Sequence, residues 1–161
     1  MVDKNQAVID YLCTCNTIKD SPLYFNLINA EDNNIQIITT ANDTTYDKPF
    51  IDGSKPKKYI FNLVIFKSIT DLALVTTSGY SNENVEDLAD AQKLIDWVQE
   101  QEDLHNYPNF GEECEMQSIE VTTDTPRFDG INTSMNPPLA MYSMSITINY
   151  IDTSRTIWNK S

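Results

Sequence analysis

Four side chains have the types needed to hold a metal or attack a substrate: Cys13, Cys15, Cys114 and His105. By count alone they would fill a four-ligand zinc shell. Their spacing argues otherwise. Two residues apart on a helix point roughly 200° away from each other, and structural zinc sites use wider pairs. The cysteines therefore read as buried or half-buried thiols. His105 follows a run of acids with no activated nucleophile near it, which suits a capping or surface role. Glu112, Glu113, Glu115 and Glu120 are the other candidates, as paired carboxylates for acid–base work, but the same pattern describes a solvated edge. No nucleophile elbow, phosphate loop, dinucleotide fingerprint or metalloprotease helix motif occurs. The expectation is a protein that is not an enzyme, with no catalytic residue, cofactor or metal.

Composition bounds the rest. A chain of 161 residues suits one domain, and 40% hydrophobic with 22% charged residues is a folding rather than a disordered composition. Eleven Lys and Arg stand against twenty-four acids, a formal charge of −13. Phosphate contacts drive nucleic-acid affinity, so the chain is a poor sequence-independent DNA binder. The acidity serves either solubility or a surface that repels an anion. Three cysteines, without a leader-like start or a run of ~20 apolar residues, point to reduced thiols in a cytosol and no membrane span.

The elements that must position these residues follow from periodicity. Ala7, Val8, Tyr11, Leu12 and Cys15 make a helical stripe over 3–15, with Asp3 or Asn5 as cap. Segments 23–28 and 35–39 read as two strands joined most simply by a hairpin. Residues 40–58 carry repeated breakers (Asn42-Asp43, Lys48-Pro49, Asp52-Gly53, Lys55-Pro56) around apolar Tyr46, Pro49, Phe50 and Ile51, and read as a long loop that either holds a short edge strand or packs against another chain. Tyr59–Phe66 is apolar on both faces, the mark of a central strand. Segment 67–80 reads as irregular. Val85, Leu88, Ala91, Leu94, Ile95 and Val98 then mark a long helix, with Trp97 beside them and Ser81 or Asn82 as cap. It is expected to cover the central strand. Its far end, with Glu100, Glu102 and Asp103, is badly charged for the helix dipole, and Pro108 forces an exit.

Residues 116–123 give another strand, 126–138 a punctuated loop, and 140–150 the cleanest alternation in the chain. There Tyr142, Met144, Ile146, Ile148 and Tyr150 face one way, with Ser143, Ser145, Thr147 and Asn149 opposite. The fold class is α/β in the α+β sense: a mixed, largely antiparallel sheet of about four to six strands with two main helices packed on it. Domain organisation is a single unit over 1–151 and a polar tail over 152–161. Aromatics concentrate interface energy, so Tyr46, Phe50, Phe128 and Trp158, on the two loops and the tail, are the expected docking residues.

The element order, the segments Leu94-Ile-Asp-Trp-Val-Gln-Glu-Gln-Glu, Asn106-Tyr-Pro-Asn-Phe-Gly-Glu and Ser118-Ile-Glu-Val-Thr-Thr, and the alternating strand Ala140–Tyr150 together resemble the tail terminator (minor capsid or tail-completion) proteins of phages infecting Gram-positive bacteria. The likeness is best over 94–150. It implies a structural virion protein, made in the host cytoplasm, that forms a ring, usually of about six copies. The ring caps the head-proximal end of the tail tube, ends its polymerisation and joins the tail to the head connector. Implied partners are other copies of the chain, the tube protein and the connector or stopper, with DNA passing through unbound and no membrane. Lys48, Lys55, Lys57, Lys58 and Arg127 join the aromatics as interface residues, the lysines pairing with acids of a neighbouring subunit. Another neck component, such as a head-completion or stopper protein, or a tube subunit, is the alternative; a small enzyme or ligand-binding module lies further off.

Overall fold

The computed structural model describes residues 2–19, 21–26, 34–45, 48–68, 83–122, 124–132, 134 and 138–156, with backbone only for 41–45 and 83–88. Its spine is a pair of fourteen-residue antiparallel strands, β3 (Lys55–Ser68) and β6 (Leu139–Asp152). They run in unbroken register from Lys55 opposite Asp152 to Ser68 opposite Leu139. The alternation read from the sequence dictates this. Tyr142, Met144, Ile146, Ile148 and Tyr150 are all buried, beside buried Tyr59, Phe61, Leu63 and Ile65. Each such side chain contributes about 1.5–3 kcal/mol when withdrawn from water.

On one side β2 (Ile35–Thr45) pairs antiparallel with β3, and β1 (Leu23–Phe25) pairs with the start of β2. On the other, β4 (Cys114–Val121) and β5 (Arg127–Asn132) lie one after the other along β6. The result is an open six-stranded sheet in the order β1-β2-β3-β6-β4, with β5 also on β6. The helices are α1 (Lys4–Leu12), α2 (Asn16–Lys19) and α3 (Glu83–Asp103). No helix among the described residues is long and apolar enough to cross a membrane.

Several expectations need correction. The 23–28 and 35–39 strands do not form a hairpin: β1 runs parallel to β2, Leu23 opposite Ile35. Asn26 turns the chain away with a positive φ of 50°, and its side-chain carbonyl accepts from the Thr39 amide at 2.9 Å. The long loop over 40–58 is mostly strand, because β2 reaches Thr45 and β3 begins at Lys55. Two register shifts, between Thr39 and Ala41 and between Ala41 and Thr44, absorb the breaker residues Asn42 and Asp43 as bulges. The 126–138 loop likewise contains β5, with a further shift at Asp129 before Gly130. The last strand extends to Asp152. Residues 69–80 of the irregular segment, and the Ser81/Asn82 cap, lie outside the described residues.

The helices behave as their sequences require. The Asp3 carboxylate caps α1, accepting from the Asn5 amide at 2.9 Å and the Gln6 amide at 3.4 Å. Val8, Tyr11, Leu12 and Cys15 are buried. Ala91, Leu94, Ile95 and Val98 form the buried stripe of α3, with Trp97 tilted against Tyr11 at 5.2 Å between ring centroids. The helix packs chiefly on β4 and less on β6, rather than covering the central strand β3. Lys67 of β3 reaches Asp90 at 3.9 Å, and Gln92 donates to the Asp124 carbonyl at 2.9 Å. Among the described residues, the second face of the sheet carries a small cluster of Val64, Phe66 and Leu139, with Ile38 and Met141 against it.

The acidic C-terminal end of α3 has a local use. Glu102 accepts from the amide of Ile119 on β4 at 2.8 Å, where β4 turns its N–H away from β6. His105 ends the helix with a φ of 52°, its amide donating to the Glu102 carbonyl. Replacing Glu102 with Ala strands the amide of a buried residue. Urea unfolding should show a loss of about 1–3 kcal/mol, whereas Glu100→Ala, at an exposed site, should stay within about 0.5 kcal/mol of the parent.

Candidate assembly surface

The residues with apparent chemistry do not converge. Cys13 is exposed in the turn after α1, Cys15 is buried beneath it, and Cys114 is half-buried at the start of β4. Among the described residues no group of three or more His, Cys, Asp or Glu could hold a metal. His105 is exposed, its Nδ1 lying 3.2 Å from the Tyr107 hydroxyl. Glu112, Glu113, Glu115 and Glu120 are all exposed along the β4 edge. Glu115 takes a hydrogen bond from Gln117 and Glu120 one from Ser118, both local.

The expected interface residues separate into two groups. One surrounds the β2–β3 hairpin. Its tip is a turn in which the Phe50 amide donates to the Ser54 carbonyl at 2.8 Å and the Gly53 amide to the Phe50 carbonyl at 2.9 Å. Asp52 accepts from both the amide and the hydroxyl of Ser54, at 2.9 and 2.6 Å. Those bonds hold the exposed Asp52 carboxyl below its usual pKa. Gly53 has a φ of +90°, and a Cβ there would sit 2.7 Å from the Arg155 carbonyl oxygen. The turn is thus clamped onto the segment after β6, where Thr156 is buried and the Thr153 amide donates to the Glu113 carbonyl at 2.8 Å.

Out of this clamp project Phe50, half-exposed, and Ile51, fully exposed. Lys48 is exposed beside them. Lys55 and Lys57 point to the helix-bearing face and Lys58 to the other, since successive strand residues alternate. The structure corrects the expected pairing of Lys57. Its Nζ lies 2.9 Å from Asp152 of the same chain. Burial alone would raise the Asp152 pKa, but hydrogen bonds from the Ser154 hydroxyl and amide, and then Lys57, outweigh it and bring the value down to about 2.

The second group sits on β5, roughly 30 Å along β6 at ~3.3 Å per residue. Arg127 donates its Nε–H to Asp129 of the same chain at 2.6 Å, while its side chain stays exposed. Phe128 is half-exposed and tilts against Tyr142, 5.6 Å between centroids. Tyr46 and Trp158 lie outside the described residues.

No family model matches the chain, and no curated protein matches it.

The candidate chemical residues thus stay dispersed among the described residues, and the hairpin presents a braced apolar tip. The residue that sequence reasoning undervalued is Ile51. It stood among the apolar residues of the expected loop but was not singled out. The signal was present in Pro49-Phe-Ile-Asp-Gly: two large apolar side chains in a turn whose polar residues are consumed in closing it.

The Asp152 cluster gives a pH test. A carboxyl depressed in the fold contributes stability above its unfolded pKa of ~3.9, and that contribution disappears as pH falls through about 2. Thermal melts should place Asp152→Asn below the parent by up to about 1 kcal/mol above pH ~4.5. The two should converge as the pH approaches ~2. A gap that stays constant over that range would exclude an ionised Asp152 as its source.

Proposed function

We propose that the protein is a phage tail terminator: a structural ring protein that caps the head-proximal end of the tail tube, ends its growth and joins it to the head connector. The observation that supports this reading best is the hairpin tip. Phe50 and Ile51 are held out in water by a turn with its own hydrogen bonds and a clamp on Arg155. Burying both would yield several kcal/mol, so a rigid apolar projection of this kind suits docking onto another protein.

Two further features agree with a neck ring. A chain with a formal charge of −13, arranged around a channel, repels the phosphates of DNA passing through and leaves it mobile. The open sheet has unlike edges, the short β1 on β2 at one side and the β4–β5 pair at the other. A subunit with unlike sides forms head-to-tail contacts, which close into a ring when the rotation permits. The mechanism is occupancy. Tube subunits present an open polymerisation face, and the ring satisfies it while offering no equivalent face to the next tube subunit. Assembly takes place in the host cytoplasm and the ring stays in the virion.

Added to its tube protein during polymerisation, the purified protein should give short tubes with an annular cap at one end in negative-stain images. A chain that stays monomeric and binds neither tube nor connector would refute the reading. Binding to the portal-side ring but not to the tube end would instead assign it to another neck component.

A further inference from the structure

We infer that the Phe50–Ile51 tip of one copy seats in a specific groove of a second copy, the one between α1 and the 107–109 segment. The groove measures about 500 Å³ and is lined by Val2, Ala7, Tyr11, Tyr107 and Pro108. That volume falls in the range of clefts that bury small ligands and is ample for a phenylalanine–isoleucine pair. Its floor is fixed by the fold. Tyr11 is buried and its hydroxyl donates to the Asn106 carbonyl at 2.8 Å. Pro108 is buried too. Val2 forms the open wall and is itself 42% exposed, so the groove displays apolar surface to water.

Charge makes the pair complementary. The rim of the groove carries Asp3 and Asp10. Asp3 accepts from the amides of Asn5 and Gln6, and Asp10 from the Gln6 side chain at 2.7 Å. Both rim carboxylates are therefore held in place by neutral donors. The tip carries exposed Lys48 on one side and Lys55 at the foot of its other strand, with Asp52 between them already engaged by the Ser54 amide and hydroxyl. An apolar centre with two cations against one engaged carboxylate thus faces an apolar groove flanked by two anions, an arrangement that steers encounter and fixes register. The tip does not fill its own groove, because Ile51 is fully exposed within the chain.

Tip and groove are different surfaces, so the contact is head-to-tail and propagates around a ring. The inference rests on the ring reading only in requiring self-association, and it adds the contact that would carry it. The test uses the full chain with two kinds of variant. Ile51→Glu spoils the tip at a side chain that touches nothing in its own fold. Ala7→Glu spoils the groove, and Asp10→Arg does so from an exposed position if Ala7→Glu disturbs α1. Light scattering after size exclusion should show each variant dissociated at concentrations where the parent assembles, with the midpoint raised at least about tenfold. An equimolar mixture of tip and groove variants should recover a heterodimer and stop there, because only one intact tip–groove pair remains. Assembly of Ile51→Glu at the parent's midpoint would overturn the inference while leaving a ring intact. The same holds if both variants dissociate but their mixture recovers no heterodimer. A parent that never self-associates would overturn both this inference and the ring.

Discussion

The ladder between β3 and β6 is the constraint on which the other contacts depend. Side chains along a strand alternate with a period of two, so a slip of one residue would turn Tyr142, Met144, Ile146, Ile148 and Tyr150 out of the core together. Their partners Tyr59, Phe61, Leu63 and Ile65 would face bare serines and threonines. The ladder also delivers the functional features. It places Lys57 across from Tyr150 and beside Asp152, and it carries the hairpin tip past the end of the sheet. There the segment after β6 returns under Gly53 and braces the turn. Rigidity at the tip is thus inherited from the core.

The two faces and two ends of the sheet are used differently. One face holds the helices and the main core. The other holds a small apolar cluster at the β3 C-terminal end, with Ser143 and Thr147 buried nearby and Ser145 and Asn149 half-buried. One end gathers Lys4, Lys55, Lys57 and Arg155 around Asp152. Lys4 lies 5.6 Å from the centre of the Tyr150 ring. Glu112 and Glu113 line the same end, so cations and carboxylates are interleaved there.

Much of this was legible in the residues, and the exceptions have physical causes. The alternation over 140–150, the stripe of α1 with its Asp3 cap, and the stripe Ala91–Val98 each contain many matches to one period, and each element formed in place, although α1 ends at Leu12 rather than Cys15 and the short α2 follows it. β1 was given the right partner but the wrong direction, because three residues carry little directional information. The β2–β3 hairpin was mistaken for a loop because bulges let Asn42 and Asp43 sit within the ladder, while Pro56 lies beyond the last β2 pair, Thr45 with Lys57, where no β2 residue pairs with it. The role of Glu102 was invisible because the amide it satisfies belongs to Ile119, which no local pattern links to it. Among the expected interface residues, Lys57 and Arg127 each have an ion-pair partner in their own chain, which no local pattern in the sequence revealed for Lys57. The family likeness, by contrast, rests on element order and short segments, which convey architecture more readily than activity.

Self-association through unlike surfaces is the claim on which the functional account stands, and native mass spectrometry of the unmodified protein tests it most directly. A closed ring requires one discrete multiple of the 18.4 kDa chain, unchanged as concentration rises above the assembly threshold. A ladder of ever larger species would mean that the contact does not close, and a lone 18.4 kDa species at every concentration would contradict the account.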